Sequence, residues 1–214
     1  DVLSSKPVNS SAEQVGPDHP AASSLDEITR ATGRASDLVR RILTFSRPRE
    51  AKLEPADLRV VVRDVLKLLR ATVPARITLT QDLSSDVPLV LADAGQVHEA
   101  IVNLTTNAAY AIGGHTGDIT FRLDAVDVDG ALAGLVPGLR PGRYARLTVR
   151  DSGSGMDAAT LERIFDAFYT TKPVGEGTGL GLSMVHGILR GHGGAVTVTS
   201  APGRGSTFEL YFPE

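Results

Sequence analysis

The sequence predicts an α+β fold in which helices cover one face of a single mixed sheet. Several stretches carry apolar residues at helical spacing, and several shorter ones alternate apolar and polar residues as strands do. Glycine-rich turns separate most of the strands, which favours hairpins. An amphipathic helix needs an apolar surface to cover, and the sheet provides it. The 214 residues, 42% of them hydrophobic, suffice for one full domain and a small additional element.

Composition excludes several classes of function. The formal net charge of −3, with both signs interspersed, argues against non-specific nucleic-acid binding, which needs a basic face. The absence of cysteine rules out disulfides, thiolate zinc sites and cysteine nucleophiles, and it fits a cytoplasmic protein. No segment approaches the roughly 20 apolar residues that span a bilayer. We therefore expect no nucleic-acid partner and no membrane contact within this chain.

The first 48 residues divide into two parts. Residues 1–22 are polar and have no convincing period, which predicts a disordered or uncertain segment. A helix is predicted over residues 23–48, beginning with a capping box formed by Ser24 and Glu27 and ending at Pro48. Its apolar and small residues are spaced alternately by three and four: Leu25, Ile28, Thr32, Ala35, Val39, Ile42 and Ser46. Such a seam needs a partner helix or a second chain.

The second domain is predicted to span residues 50–214. Asp57 caps a short helix that runs through Arg70, and a longer helix begins at Asp93 and ends near Ile112. A Gly/Pro loop is expected over 130–142, and a last helix over Leu182–Arg190. The predicted strands are 77–80, 89–91, 118–126, 144–150, 195–200 and 206–212.

Many of the 22 glycines are concentrated in three turns, at 151–155, 175–181 and 203–205. Glycine is needed where the backbone approaches a ligand or takes a positive φ. The turn at 177–181 opens directly into the last helix, and free amides at a helix start bind anions, so phosphate is the expected ligand. The spacing of a P-loop or of a dinucleotide-binding strand–turn–helix is absent. A flexible turn is the alternative for any single loop.

Three polar residues stand out beside these turns. Asp151 follows a strand directly, and its carboxylate can accept from an exocyclic amine such as that of adenine. Asn103 and Asn107 lie four residues apart on one helix face, where a hydrated metal ion or a phosphate would satisfy their amides. The alternatives are an aspartate that caps its turn, and asparagines that bridge neighbouring loops.

Five motifs in a fixed order resemble the ATP-binding domain of bacterial sensor histidine kinases. They are Asn103-Leu-Thr-Thr-Asn107, Asp151-x-Gly153-x-Gly155, Ile164-Phe165-Asp-Ala-Phe168-Tyr-Thr-Thr-Lys172, Gly177-Thr-Gly179-Leu-Gly181-Leu182 and Gly203-x-Gly205-Ser-Thr207. The resemblance covers about residues 50–214 and implies a Bergerat ATP-binding α/β sandwich. It further implies that helix 23–48 is the second helix of a dimerisation hairpin, and that residues 1–22 are a remnant of the first helix and its loop.

The resemblance also implies roles for individual residues. Asn107 corresponds to the Mg²⁺ ligand, and Asn103 takes the catalytic position where hydrolytic relatives have a glutamate base. Lys172 is expected to meet the terminal phosphate, the alternative being a solvated lysine. Phe165 and Phe168 are expected to pack a lid against the domain. Nucleotide contacts are expected from Asn107, Asp151, Gly153, Gly155, Gly177, Gly179, Gly181, Leu182 and Thr207.

The function implied is that of a kinase core. The chain would bind Mg-ATP, pass the γ-phosphoryl group to a histidine and thence to an aspartate of a response regulator, and form a homodimer through its helical hairpin. An ATP-hydrolysing relative of gyrase and chaperone type, a degenerate ATP-binding dimerisation module and a serine kinase of anti-sigma type are the alternatives. Only His19 precedes the hairpin helix, and its Pro-Asp-His-Pro setting lacks the acceptor motif, so we expect this chain to lack the acceptor histidine.

Overall fold

A computed structural model describes residues 51–173 and 177–214. They lie in the second of two compact units of the chain, Arg49–Glu214. The predictions for residues 1–22 and for helix 23–48 lie outside the described residues. The elements are β1 (Glu54–Ala56), α1 (Leu58–Thr72), β2 (Ile77–Leu83), β3 (Val90–Ala92), α2 (Ala94–Ile112), β4 (Gly117–Val128), α3 (Gly130–Leu135), β5 (Gly142–Asp151), α4 (Ala158–Leu161), α5 (Gly181–Gly191), β6 (Ala195–Ser200) and β7 (Ser206–Pro213).

Five of the strands form one mixed sheet in the order β2-β4-β5-β7-β6. Three of the four pairings are antiparallel, and β2 runs parallel to β4 with Ile77 opposite Gly117. A parallel pair cannot be joined by a hairpin, so the chain passes through β3 and α2 between these two strands. Strands β1 and β3 pair separately as an antiparallel ribbon. The predicted α+β class with a mixed sheet is confirmed.

The core lies on one face of this sheet. Along β4, Ile119, Phe121 and Leu123 are fully buried, whereas the alternate residues Asp118 and Arg122 are exposed. This alternation is what a sheet with one covered face requires. Helices α1, α2 and α5 supply the other half of the same core, with fully buried side chains that include Leu58, Val62, Val97, Ile101, Val185 and Leu189.

The opposite face of the sheet carries charged and hydroxyl side chains. Arg146 on β5 donates two hydrogen bonds to the carboxylate of Asp124 on β4, and a third to Glu209 on β7. These three side chains lie on adjacent strands, so opposite charges face one another across the sheet. Helices α1, α2 and α5 cover the other face, as the sequence predicts, whereas the short helix α3 packs through Leu132 and Ala133 against Tyr144 and Tyr211 on this one.

Two aspartates begin the main helices where the sequence predicts them. Asp57 accepts from the backbone N–H of Arg59 at the start of α1, and Asp93 accepts from Gly95 and Gln96 at the start of α2. Helix α2 ends at Ile112, where Gly113 takes a φ of +66° that favours glycine. The buried residues of α2 include Val97, Ala100, Ile101, Leu104 and Ala108, which share one face of the helix.

A buried histidine ties α5 to α2. The Nε2 atom of His192 accepts from the backbone N–H of Asp93 at 2.9 Å, and Nδ1 lies 2.8 Å from the carbonyl oxygen of Ile188. Since Nε2 accepts, Nδ1 carries the hydrogen and donates. The end of α5 is thereby fixed to the start of α2, which sets how the two helices lie against each other.

Several local features differ from the sequence prediction, among them the unpredicted short helix α4 (Ala158–Leu161). The predicted loop at 130–142 contains the short helix α3, which Asp129 caps through the backbone N–H of Leu132. Strand β2 extends to Leu83, beyond the predicted end at residue 80. The ribbon strand β1 was not predicted, because three residues that include Pro55 give no usable period.

Within residues 51–173 and 177–214, every helix is too short or too polar to span a bilayer.

Candidate functional site

The candidate site begins where α2 faces the start of α5. Asn103 and Asn107 lie one turn apart on α2, and Gly181 is the first residue of α5. A Cβ atom on Gly181 would lie 3.2 Å from Asn103 Oδ1 and 3.7 Å from Asn107 Nδ2. The two asparagine side chains therefore border the N-terminus of α5, as expected for a shared ligand.

The start of α5 offers backbone donors. The residue before it, Leu180, makes no side-chain capping hydrogen bond, in contrast to the aspartates that cap α1 and α2. The first N–H groups of a helix have no intrahelical partner, and the helix dipole makes this end positive. An eleven-residue helix opening toward two amide side chains is a suitable site for phosphate oxygens.

Asp151 forms the second part of the site, at the end of β5. Only 5% of its surface is exposed, and its Oδ1 atom accepts from the backbone N–H of Gly153 at 2.8 Å and of Ser206 at 3.3 Å. Burial raises the pKa of this carboxyl group, and the two N–H donors partly oppose the rise. Both hydrogen bonds end on Oδ1, so Oδ2 remains able to accept from a ligand.

Three glycines let the loops around Asp151 pack backbone against backbone. Gly155 has a φ of +67°, and a Cβ atom there would lie 1.9 Å from the carbonyl oxygen of Ala201. Gly205 has a φ of +69°, and its Cβ would lie 2.0 Å from the carbonyl oxygen of Asp151. At Gly153 a Cβ would meet the Cβ of Ala111 at 2.7 Å, at the end of α2. The carboxylate is thus held against the same helix that carries the two asparagines.

A backbone hydrogen bond joins Phe168 of the third motif to Gly179 of the fourth. The N–H of Phe168 donates to the carbonyl oxygen of Gly179 at 2.9 Å. Gly179 has a φ of +66°, and a Cβ there would lie 2.3 Å from the carbonyl carbon of Phe168. Phe168 itself has a φ of 69°, the one non-glycine residue in the described parts of the chain with a positive φ. Such a conformation is strained for a bulky side chain.

The two phenylalanines of this motif have different surroundings. Phe165 packs against the core, and its ring centroid lies 5.3 Å from that of His186 on α5. Phe168 is 59% exposed. The expectation that both would pack a lid against the domain is therefore wrong for Phe168, whose contribution is the backbone contact with Gly179.

Lys172 lies beside the two asparagines. Its ammonium nitrogen donates to Asn107 Oδ1 at 3.2 Å and stands 4.2 Å from the centroid of the Tyr110 ring. Gly177 borders the same side chain, since a Cβ there would lie 3.0 Å from Lys172 Cδ. Residues from two motifs separated by more than 60 positions thus meet at the start of α5.

The two remaining residues predicted to contact the nucleotide, Leu182 and Thr207, make no contact with the asparagines or with Asp151 in the interactions described above. Leu182 is half-buried and packs against the core, one residue into α5. Thr207 is half-buried and pairs with Arg150 and Thr199 in the sheet. Side chains alternate along a strand, so Thr207 lies on the opposite face of β7 from Ser206, whose backbone reaches Asp151.

Ser206 and Tyr110 are two site residues that the sequence prediction did not assign. Ser206 could have been found from the alternation of β7, because it shares the buried face with Phe208 and Leu210. Tyr110 gives no such signal, because an exposed aromatic residue on a helix has many uses. Only its contact with Lys172 shows that it belongs to the site.

The oxygen atoms of the site suit a Mg²⁺ ion that is held mainly by the phosphates of a bound molecule and only partly by the protein. Among residues 51–173 and 177–214, no three histidine, aspartate or glutamate side chains are grouped so as to hold a metal ion. Mg²⁺ takes oxygen ligands, keeps several waters and is commonly held by one or two protein groups together with substrate phosphates. Asn107 Oδ1, next to the expected phosphate position, fits this requirement.

A separate cavity of about 730 Å³ lies at the other end of β5, around Arg140, Arg143 and Arg190. None of the candidate residues lines it. Because β5 is ten residues long, Asp151 and this cavity lie about 30 Å apart along the strand. The cavity is therefore distinct from the site described above.

Comparisons with known proteins agree with this geometry. The family described as histidine kinase-, DNA gyrase B-, and HSP90-like ATPase matches residues 92–214. The sensor kinase CckA of Brucella abortus (strain 2308) is 39% identical over 91% of this chain and 20% of its own length. The sensor histidine kinase ZraS of Escherichia coli (strain K12) is 31% identical over 91% of this chain and 39% of its own length. The chain thus spans between a fifth and two-fifths of these relatives.

A solved structure shares the fold. Full-length ShkA, in a crystal structure with AMPPNP, superposes with a TM-score of 0.71 at 27% identity. The superposition covers 94% of this chain and 40% of ShkA.

The glycine contacts predict a specific loss of stability. Gly155→Ala should lower the free energy of unfolding by about 2–4 kcal/mol, because alanine disfavours a positive φ and its Cβ overlaps the Ala201 carbonyl. Gly114→Ala is the matched control, since nothing lies within 4 Å of a Cβ there. Urea unfolding of both variants measures the difference. Equal midpoints for the two variants would contradict the close packing of these loops.

Proposed function

The chain belongs to the family of histidine kinase-, DNA gyrase B- and HSP90-like ATPases, and from this premise we propose that it is the ATP-binding catalytic part of a sensor histidine kinase. The observation that carries the proposal is the meeting of Asn103, Asn107 and the Lys172 ammonium at the uncapped start of α5. The relatives named above are sensor kinases, which supports the same assignment.

In this proposal the adenine lies at Asp151. The buried carboxylate keeps Oδ2 for the exocyclic amine, and its Oδ1 is fixed by the backbone of Gly153 and Ser206. A carboxylate fixed by two donors loses little freedom when it binds, which favours recognition of one amine position. Gly155 holds the loop after β5 against the Ala201 carbonyl, which fixes the loop beside which the base would lie.

The phosphates lie between the adenine position and the start of α5. The N–H groups of α5, the amides of Asn103 and Asn107, and the Lys172 ammonium face this position. Mg²⁺ held at Asn107 Oδ1 would supply further positive charge against the phosphate oxygens. Phosphoryl transfer needs mainly positioning and charge neutralisation, and these groups provide both.

Asn103 favours transfer to a protein side chain over hydrolysis. An amide cannot take a proton from water at neutral pH, so it cannot act as the general base of an ATPase. The acceptor in our proposal is a histidine on a dimerisation helix, and the next acceptor is an aspartate of a response regulator. Homodimerisation through the helical hairpin rests on the apolar seam of residues 23–48. Such a core acts in the cytoplasm, where ATP is available.

Nucleotide binding tests the proposal directly. Calorimetry should show that the chain binds a non-hydrolysable ATP analogue, and that EDTA weakens the binding. Asp151→Ala should reduce the affinity by about 10- to 100-fold, because a hydrogen bond to a buried charge is lost. Asp127→Ala, at an exposed aspartate of β4, is the matched control. If the wild-type chain does not bind, it is a degenerate module.

Incubation with γ-labelled ATP separates the remaining alternatives. We expect bound nucleotide and slow release of phosphate, with no acid-labile label on this chain, since none of its five histidines lies in an acceptor motif. Fast release of phosphate would indicate an ATP-hydrolysing relative. Acid-labile label on the chain would show that one of these histidines is an acceptor.

A substitution at Asn103 tests why hydrolysis is slow. Asn103→Glu should raise the rate of phosphate release about tenfold or more, because the glutamate can take a proton from water at this position. Asn103→Gln is the matched control, since it has the same length and no base. If the two variants release phosphate at the same rate, Asn103 does not face the attacking water.

Acidification should weaken ATP binding through Asp151. Burial raises the pKa of this carboxyl group, so it takes up a proton above the pH range where an ordinary aspartate titrates, about pH 4. The protonated group is a poorer acceptor, and affinity falls. The folded pKa exceeds the unfolded one, so the charged carboxylate disfavours folding at neutral pH, and this cost disappears as the pH falls through the folded pKa. The loss of affinity therefore does not reflect unfolding at this group.

The pH profile of the dissociation constant checks this. Asp151→Asn provides the control, since its amide does not titrate and its residual profile reports the phosphates of the nucleotide. Identical profiles for both proteins would contradict the role of Asp151.

A further inference from the structure

We propose that Tyr110 is a positioning residue that holds the Lys172 ammonium at the phosphate end of the site. The inference rests on the proposed function and deepens it. Tyr110 lies on α2, three residues after Asn107, so the two side chains leave the same face of the helix. Its ring is 45% exposed and is not part of the core. Its place in the molecule is therefore not explained by packing of the fold.

The contact itself is specific. Lys172 Nζ stands 4.2 Å from the centroid of the Tyr110 ring, within the range of a cation–π interaction, and 3.2 Å from Asn107 Oδ1. Both of these groups come from neighbouring positions of one helix. Since α2 is 19 residues long and anchored in the core, these groups are themselves fixed.

The contact with the ring matters because the lysine side chain is flexible. The lysine stem has four rotatable bonds, and ordering it for each phosphate contact costs conformational entropy. A ring that already holds the ammonium near the start of α5 reduces this cost when a nucleotide binds. The effect applies to Lys172 and not to the backbone donors of α5, which are fixed by the helix.

An aromatic ring suits this place better than a carboxylate would. Both attract an ammonium group, but a carboxylate would also repel the phosphates and would compete with them for Lys172. The tyrosine ring carries no formal charge, so it can hold the cation without opposing the ligand. The nearby amides of Asn103 and Asn107 are likewise uncharged.

The ring also provides a support that the expected metal ion does not disturb. Asn107 Oδ1 now accepts from Lys172, and the same oxygen is the expected Mg²⁺ ligand. An ammonium group and a divalent cation repel each other and do not share one oxygen at close range. If Mg²⁺ takes this oxygen, the contact with Tyr110 is the one of these two that can persist.

The first test uses the nucleotide-free protein. The sequence has four lysines, Lys6, Lys52, Lys67 and Lys172, so an NMR spectrum of the ¹³C-labelled lysine ε-methylene groups is simple to assign. Lys172→Met identifies the signal by removing it. We expect this signal to be shifted upfield by the ring current in the wild type and in Tyr110→Phe, and to lose that shift in Tyr110→Leu. An unshifted wild-type signal would overturn the proposal, whatever the nucleotide affinity.

The second test separates positioning from a general structural effect. Tyr110→Leu should weaken binding of a non-hydrolysable ATP analogue about three- to fivefold, the size of an exposed cation–π contact, and leave ADP affinity nearly unchanged. Tyr110→Phe should restore the wild-type value. In the Lys172→Met background, Tyr110→Leu should have no further effect on the ATP analogue.

Two outcomes would contradict the inference in this assay. An equal loss of ADP and ATP-analogue affinity would mean that Tyr110 contacts the base or supports the fold, and additive effects of Tyr110→Leu and Lys172→Met would mean that the two residues act independently. Thermal unfolding of each variant identifies any general loss of folding. If the wild type binds no nucleotide, the proposed function fails, and the NMR test still decides whether Tyr110 holds Lys172.

Discussion

The site depends on backbone segments that approach each other more closely than any side chain permits. At Gly155 and Gly205 the neighbouring carbonyl oxygens lie within 2.0 Å of where a Cβ atom would stand. These two contacts join the loop after β5 to the loop before β7, and Gly153 joins the first of these loops to α2. The position of the Asp151 carboxylate relative to Asn103 and Asn107 follows from them. A larger side chain at any of these glycines would separate the two halves of the site.

In the proposed function, the two ends of the site carry opposite charge and attract different parts of one ligand. The buried Asp151 carboxylate lies at one end, and the Lys172 ammonium with the uncapped start of α5 lies at the other. The amides of Asn103 and Asn107, which are neutral at every pH of interest, lie beside the second end. An adenine nucleotide has an amine at one end and phosphates at the other, and it fits this polarity. The absence of a base at Asn103 fits transfer to a side chain better than hydrolysis.

The connection between the helices is as important as the loops. His192 fixes the end of α5 to the start of α2 through Nε2, and its Nδ1 orients the ring on the Ile188 carbonyl, while the start of α5 faces Asn103 and Asn107. The Phe168–Gly179 backbone contact closes the base of the segment that carries Lys172. The helix and the segment at the phosphate end of the site are therefore each held by a hydrogen bond, the second of them between backbone atoms alone. Fixed donors do not reorganise during the reaction, which favours phosphoryl transfer.

Local patterns in the sequence predict the three main helices, six of the seven described strands and the candidate polar residues of the site. Asp57 and Asp93 mark helix starts, and the glycine spacing marks the turns. The parallel pairing of β2 with β4, the hydrogen bond from Ser206 to Asp151 and the contact of Tyr110 with Lys172 follow only from the three-dimensional packing. Each depends on residues far apart in the chain, such as Lys172 and Tyr110, and no local period records such a contact. The candidate residues can be predicted from the sequence, but which of them contact one another depends on how the sheet and helices pack.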